Sequence, residues 1–189
     1  MSILKSHNIT LTRGAITLRP LCDDHLPLLY QWNRDPEVLY WCEGADVQEN
    51  DAETVHDIYG RTSQSAFCFL VEFDGKPIGE CWLQHMNIPE VKAMYADDID
   101  VRRIDMAIFE KDHWNRGIGT QLIGMLVSFA FGDEHADVLH VMVGNYNERS
   151  IRTFNKNGFV EVARMPTNFA AKQSEEIHLA LTRQNHFNA

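Results

Sequence analysis

Residues 113–120, His-Trp-Asn-Arg-Gly-Ile-Gly-Thr, constrain this chain more than any other stretch. They follow an apolar, strand-like run from Ile104 to Phe109 and open an apolar helical run from Gln121 to Phe131. Two glycines, one residue apart, therefore stand where a strand hands over to a helix. Glycine lets backbone come close to a ligand, and a helix start offers unpaired N–H groups and a positive dipole end. The arrangement predicts an anion site suited to the pyrophosphate of a nucleotide cofactor. Gly-x-Gly alone does not identify such a site; a second segment adds to it.

That segment runs from Asn147 to Phe159. It reads as a helix with Asn147 at its N-cap and Gly158 as its C-terminal stop. Ile151 and Phe154 fall at helical spacing and point to the core. Together, the Trp-Asn-Arg-Gly-Ile-Gly-Thr turn and the Lys156-Asn157-Gly158-Phe159 ending resemble the GNAT superfamily of acetyl-CoA-dependent N-acetyltransferases. The resemblance extends from Ile16 to Leu181.

Within the superfamily the chain most resembles the aminoglycoside 6′-N-acetyltransferases. The opening Thr17-Leu18-Arg19-Pro20-Leu21 and the stretch Asp24 to Trp32 look like their first strand and helix. Val38-Leu39-Tyr40-Trp41-Cys42-Glu43-Gly44 looks like their aromatic substrate-side loop. Asp105 lies twelve residues before Gly117, the spacing at which that family keeps its active-site aspartate. The opening is shared with acetyltransferases of ribosomal-protein N-termini and of polyamines, so those acceptors remain alternatives.

The chain has 189 residues, enough for one domain with a sizeable core. A single domain over 1–189 is expected, its core about 16–182. The fold class expected is α/β: a mixed, mostly antiparallel sheet flanked by about four helices, in the order of the GNAT fold. Ile16 to Leu21 reads as a strand. Asp23 or Asp24 caps a helix that ends by Asp35-Pro36. Asn50 or Asp51 caps a second, through Tyr59. Ala66 to Phe73 and Pro77 to Gln84 form a hairpin about Asp74-Gly75, a favoured two-residue loop. Ile88 to Asp98 reads as a loop or irregular edge and Asp100 to Phe109 as the central strand. Thr120 to Phe131 reads as the third helix, Val138 to Val143 as a strand, and Glu148 to Asn157 as the fourth helix. Strands from Phe159 to Met165 and Glu175 to Leu181 close the chain, with a turn at Pro166.

Cys22, Cys42, Cys68 and Cys81 lack metal or redox spacing and read as buried free thiols, which suits a reducing cytoplasm. No apolar run is long enough to cross a bilayer. The formal net charge of −10 argues against a nucleic-acid surface and suits a polycationic small-molecule substrate. Glu90, Asp97, Asp98, Asp100 and Asp105 read either as a solvated acidic loop or as a cation-collecting rim. The nine histidines show no metal-ligand spacing, and no metal is expected.

An amine that attacks a thioester must first lose a proton, and a carboxylate beside it both accepts that proton and holds the ammonium. Asp105 is the first candidate, on the strand leading to the glycine turn; alternatively it pairs with Arg102 or Arg103. Glu80 is a second candidate base, or a solvent-facing strand residue. The resemblance implies that acetyl-CoA binds the backbone of Ala107, Ile108 and Phe109. It places the pyrophosphate on Arg116, Gly117, Ile118, Gly119 and Thr120, and the pantetheine arm near Asn147 and Phe154. Trp41, Glu43, Asp100 and Asp105 are the expected substrate contacts. The sequence departs from the family at Phe154, where a tyrosine often serves as general acid, and in the stretch Met142-Val143-Gly144-Asn145, where the relatives often carry an Asp-Pro a few residues before the Asn. The expectation is a cytoplasmic enzyme, monomer or homodimer, that acetylates the 6′-amine of aminoglycoside antibiotics. The non-enzymatic alternative is an acyl-CoA-binding sensor.

Overall fold

Asp74 and Gly75 both take positive φ, 49° and 73°. That is the pattern of a type I′ turn, whose twist matches that of the strands it joins. In this computed structural model, which describes residues 2–44, 49–166 and 175–188, the turn links β3 (Ala66–Phe73) to β4 (Lys76–His85). Upstream lie β1 (Leu11–Arg13) and β2 (Ile16–Pro20), then α1 (Leu26–Trp32), α2 (Pro36–Glu43) and α3 (Ala52–Thr62). Downstream follow α4 (Pro89–Lys92), β5 (Val101–Ile108), α5 (Ile118–Gly132), β6 (Val138–Gly144), α6 (Glu148–Asn155), β7 (Val160–Pro166), β8 (Glu175–Thr182) and α7 (Arg183–Asn188). The eight strands form one mixed sheet in the order β1-β2-β3-β4-β5-β6-β8-β7. β5 and β6 run parallel, whereas β1–β2, β2–β3, β6–β8 and β7–β8 are antiparallel.

The chain divides into two compact units. The first comprises the described residues of Met1–Trp82 with Met106–His113. Its helices bury apolar residues at helical spacing: Leu26, Leu29 and Trp32 on α1, Val55 and Tyr59 on α3. Asp35-Pro36 closes the first helical region as expected and also starts α2. The Asp35 carboxylate accepts from the Glu37 and Val38 amides, and Pro36 occupies the first turn, where its missing N–H costs nothing. Lys111 ties this start down by pairing with Asp35 and Glu37, each at 2.9 Å. The aromatic stretch read as a loop is therefore helical through Glu43.

The second unit holds Leu83–Asp105 and the described residues from Trp114 onward. α5 is apolar almost all round and buries nine of its fifteen residues, as a central helix should. α4 and α7 were not foreseen; α4 begins at Pro89 inside the stretch read as a loop. Pro166 is the last residue of β7, and the rest of the turn expected there lies outside the described residues. Cys68 and Cys81 are buried as expected, but Cys22 is half-buried and Cys42 exposed. Among the described residues no helix is long and apolar enough to cross a membrane, and no cluster of three or more metal-ligating side chains occurs.

The core of the second unit contains a polar chain. Tyr95 Oη lies 2.7 Å from His140 Nδ1, and His140 Nε2 lies 2.8 Å from His178 Nδ1. His140 is 0% exposed. One ring must donate and the other accept across the contact, so charging both would set two N–H groups against each other. Burial, then the neighbouring His178, lowers His140 to about 4. Burial likewise lowers His178, with Glu176 opposing.

This depression couples stability to pH. The unfolded chain takes up the proton near 6.5 and the native chain only near 4. The stabilisation is therefore complete above 6.5 and is lost as pH falls toward 4. From His140 alone, urea unfolding at pH 5 should give a free energy about 2 kcal/mol below that at pH 7.5. A His140→Phe variant should lose most of that difference. Equal pH dependence in the two proteins would contradict the assignment.

Candidate active site

Asn115 and Gly117 both adopt left-handed backbone, with φ of 59° and 77°. Gly117 is the N-cap of α5, so the helix starts at Ile118, two residues before the start expected at Thr120. The Gln121 amide bonds back to the Gly117 carbonyl at 3.2 Å. The amides of Ile118, Gly119 and Thr120 thus have no partner within the helix. A Cβ on Gly117 would meet nothing within 4 Å, so the glycine answers to backbone angle rather than to space. An exposed turn followed by a fifteen-residue helix fits an anionic group such as a pyrophosphate.

The first turn of α5 is held by the segment that follows α6. Asn157 Nδ2 donates to the Thr120 carbonyl at 3.1 Å and to the Thr153 carbonyl at 3.0 Å. Asn147 caps α6 by accepting from the Ser150 amide at 3.1 Å. Gly158 ends the segment with φ of 85°. The Arg149 guanidinium lies over the Trp114 ring, 4.3 Å from its centre. Arg116 is exposed on the turn. Phe154 is buried and meets Phe159 edge-on, so its position is that of a core residue.

In the same unit, Asp105 Oδ2 accepts from Arg103 Nε at 2.7 Å and from Gln84 Nε2 at 2.8 Å. The pairing with Arg103, one of the two arginines weighed from the sequence, is therefore present. Asp100 accepts from Arg102 Nε with both oxygens, at 2.8 and 2.9 Å, and lies 3.3 Å from His85 Nδ1. Burial pushes the Asp100 carboxyl up, but Arg102 and His85 outweigh it and hold it below its usual value. Asp100, expected as a substrate contact, is thus paired within the chain. Of the expected acidic rim, Glu90, Asp97 and Asp98 remain exposed.

In the first unit, the end of β5 presses closely on β4. The Phe109 and Glu110 amides both donate to the Ile78 carbonyl, at 2.9 and 3.1 Å. The Phe109 amide is thus engaged within the chain. Its ring stacks on Trp32 at 4.9 Å and 2°, and Trp32 Nε1 donates to Glu110 Oε1 at 2.9 Å.

Glu80 is 7% exposed, not solvent-facing. The Tyr59 hydroxyl bonds it and in turn accepts from Asn33 Nδ2 at 3.1 Å. Burial, then the Glu80 carboxylate, holds the Tyr59 phenol well above its ordinary value, so it remains a donor. Trp82 meets Tyr59 edge-on at 5.5 Å. Trp41, half-buried on α2, meets Tyr40 edge-on. The Glu43 side chain lies outside the described part. Gln84, Tyr59 and Asn33 were not foreseen. A polar side chain at every fourth position of an apolar strand, as at Glu80 and Gln84, was the available signal.

A family model described as an acetyltransferase (GNAT) domain matches residues 15–160. The chain is 24% identical over 193 residues to the aminoglycoside N(6')-acetyltransferase type 1 of Klebsiella pneumoniae, covering 97% of this chain and 91% of that protein. It is similar in fold to a solved structure of AAC(6')-Ib with ribostamycin and coenzyme A, with a TM-score of 0.75, 22% identity, and 93% and 98% of the two chains covered. The Vibrio cholerae spermidine N-acetyltransferase, in complex with CoA and spermine, is similar at a TM-score of 0.74 and 16% identity, with 93% and 100% covered.

The contact between β4 and β5 admits a direct test. A Cβ on Gly79 would stand 2.2 Å from the Ala107 carbonyl oxygen and 3.0 Å from Ile108 Cα, both backbone atoms. Gly79→Ala must therefore displace a strand, at a cost of about 2–3 kcal/mol. A thermal melt should show a midpoint lower by roughly 5–10 °C. An unchanged midpoint would show that the strand end yields freely.

Proposed function

We propose that this chain, which belongs to the GNAT acetyltransferase family, transfers an acetyl group from acetyl-CoA to an amine of a polycationic small molecule, the 6′-amine of an aminoglycoside. The observation that carries the donor half is the left-handed Gly117 opening α5, with three amides lacking helical partners. Arg116, Gly117, Ile118, Gly119 and Thr120 hold the pyrophosphate, and Asn147 holds the pantetheine arm. Ala107 and Ile108 supply backbone partners nearer the acetyl end. Acetyl-CoA brings a thioester that an amine can attack.

The acceptor half rests on Asp105 and on the match along 97% of the chain to an aminoglycoside N(6')-acetyltransferase. Asp105 holds the substrate ammonium and takes up a proton as the amine becomes nucleophilic. Glu80, kept in place by Tyr59, is a second proton acceptor. Trp41 offers a face on which a sugar or an ammonium packs. Phe154 has no proton to give, so none reaches the departing thiolate from that side chain.

Thiol release from acetyl-CoA should occur with kanamycin and not with spermidine or a ribosomal N-terminal peptide. Asp105→Asn should lower turnover by about a hundredfold or more and leave acetyl-CoA affinity unchanged. Release with spermidine or the peptide alone would overturn the acceptor assignment. Gly117→Ala forces a Cβ into left-handed backbone, a strain of about 1–2 kcal/mol. It should weaken acetyl-CoA binding roughly tenfold while preserving turnover at saturating acetyl-CoA. Unaltered binding would remove the turn from the donor site.

A further inference from the structure

We infer that Gln84 and Arg103 are positioning residues that clamp one oxygen of Asp105 and so present the other to the substrate amine; this rests on the reading of Asp105 given above. Both donors meet the same atom, Oδ2, at 2.8 and 2.7 Å. Among the described residues Oδ1 receives no hydrogen bond. The terminal torsion of an aspartate is broad, so an unsupported carboxylate turns freely. Two charge-assisted bonds to one oxygen fix that torsion.

The two donors are themselves held. Gln84 is 3% exposed on β4, and its amide is committed to Asp105 in a setting where an unpaired polar group would be costly. Arg103 lies two residues before Asp105 on β5, hence on the same face of the strand, and its Nη1 donates to Asn87 Oδ1 at 3.3 Å. The Arg103 charge also offsets that of Asp105, so the pair exerts little long-range pull on a cation. What remains for recognition is a directional bond at Oδ1. An ammonium placed there is oriented, which matters more to turnover than being attracted.

The test is a double-mutant cycle in steady-state kinetics, using whichever of the three acceptors releases thiol. Gln84→Met conserves volume and removes the donor. It should lower kcat/KM for the amine about tenfold and leave the KM for acetyl-CoA unchanged. Placed on Asp105→Asn, it should add nothing, because its effect runs through that carboxylate. Additive losses, or an unaffected Gln84→Met beside an impaired Asp105→Asn, would overturn the clamp and leave the reading of Asp105 intact. A fully active Asp105→Asn, or silence with every acceptor, would overturn both. Should Gln84→Met fold poorly, Arg103 carries the test. Arg103→Met should show the same loss and Arg103→Lys should recover part of it; equal activity in the two would contradict the clamp.

Discussion

The left-handed backbone at Gly117 is the constraint on which the proposed donor site depends. With φ at 77°, the chain leaves the β5 connection and enters α5 with the amides of Ile118, Gly119 and Thr120 ahead of the first intrahelical bond. A residue with a Cβ resists that angle, whereas glycine adopts it without strain. The neighbouring parts secure the start. Asn157 binds the Thr120 carbonyl, and Asn147 caps the helix that carries Asn157's segment. α5 itself is anchored by apolar burial along its length. A helix held this firmly keeps its dipole end where a phosphate can use it.

Charge acts here by local pairing rather than in bulk. The formal net charge of −10 invites an account in which a negative surface gathers cations. Yet Asp100 and Asp105 each pair with an arginine two residues away in sequence. Their contribution is geometric. Asp100 is bound by Arg102 and His85, while Asp105 keeps one oxygen outside its clamp. The glutamate that most resembles a buried catalytic group, Glu80, is likewise held by a neighbour, the Tyr59 hydroxyl.

Features set by a few consecutive residues could be read from the sequence. Asp74-Gly75 encodes its own turn, Asn147 its own cap, and the run from Leu122 to Phe131 a buried helix. Asp35-Pro36 was read only as a stop, whereas the same pair also starts the next helix. The glycine turn and its resemblance to the GNAT pattern revealed the family. What could not be read is what distant segments impose. Glu80 is met by Tyr59 from α3, which Asn33 holds from the end of α1. Gln84 meets Asp105 across twenty-one positions of sequence. The Phe109 amide is taken by the Ile78 carbonyl, thirty-one positions away in sequence.

The central claim is that the start of α5 is an anion site for coenzyme A. An amide-resolved NMR titration of the protein with CoA tests it most directly. The account predicts that the Ile118, Gly119 and Thr120 amide resonances move together along one binding isotherm, with the largest shifts in α5. Saturable binding that leaves those three amides unmoved would contradict it and place the coenzyme elsewhere on the chain.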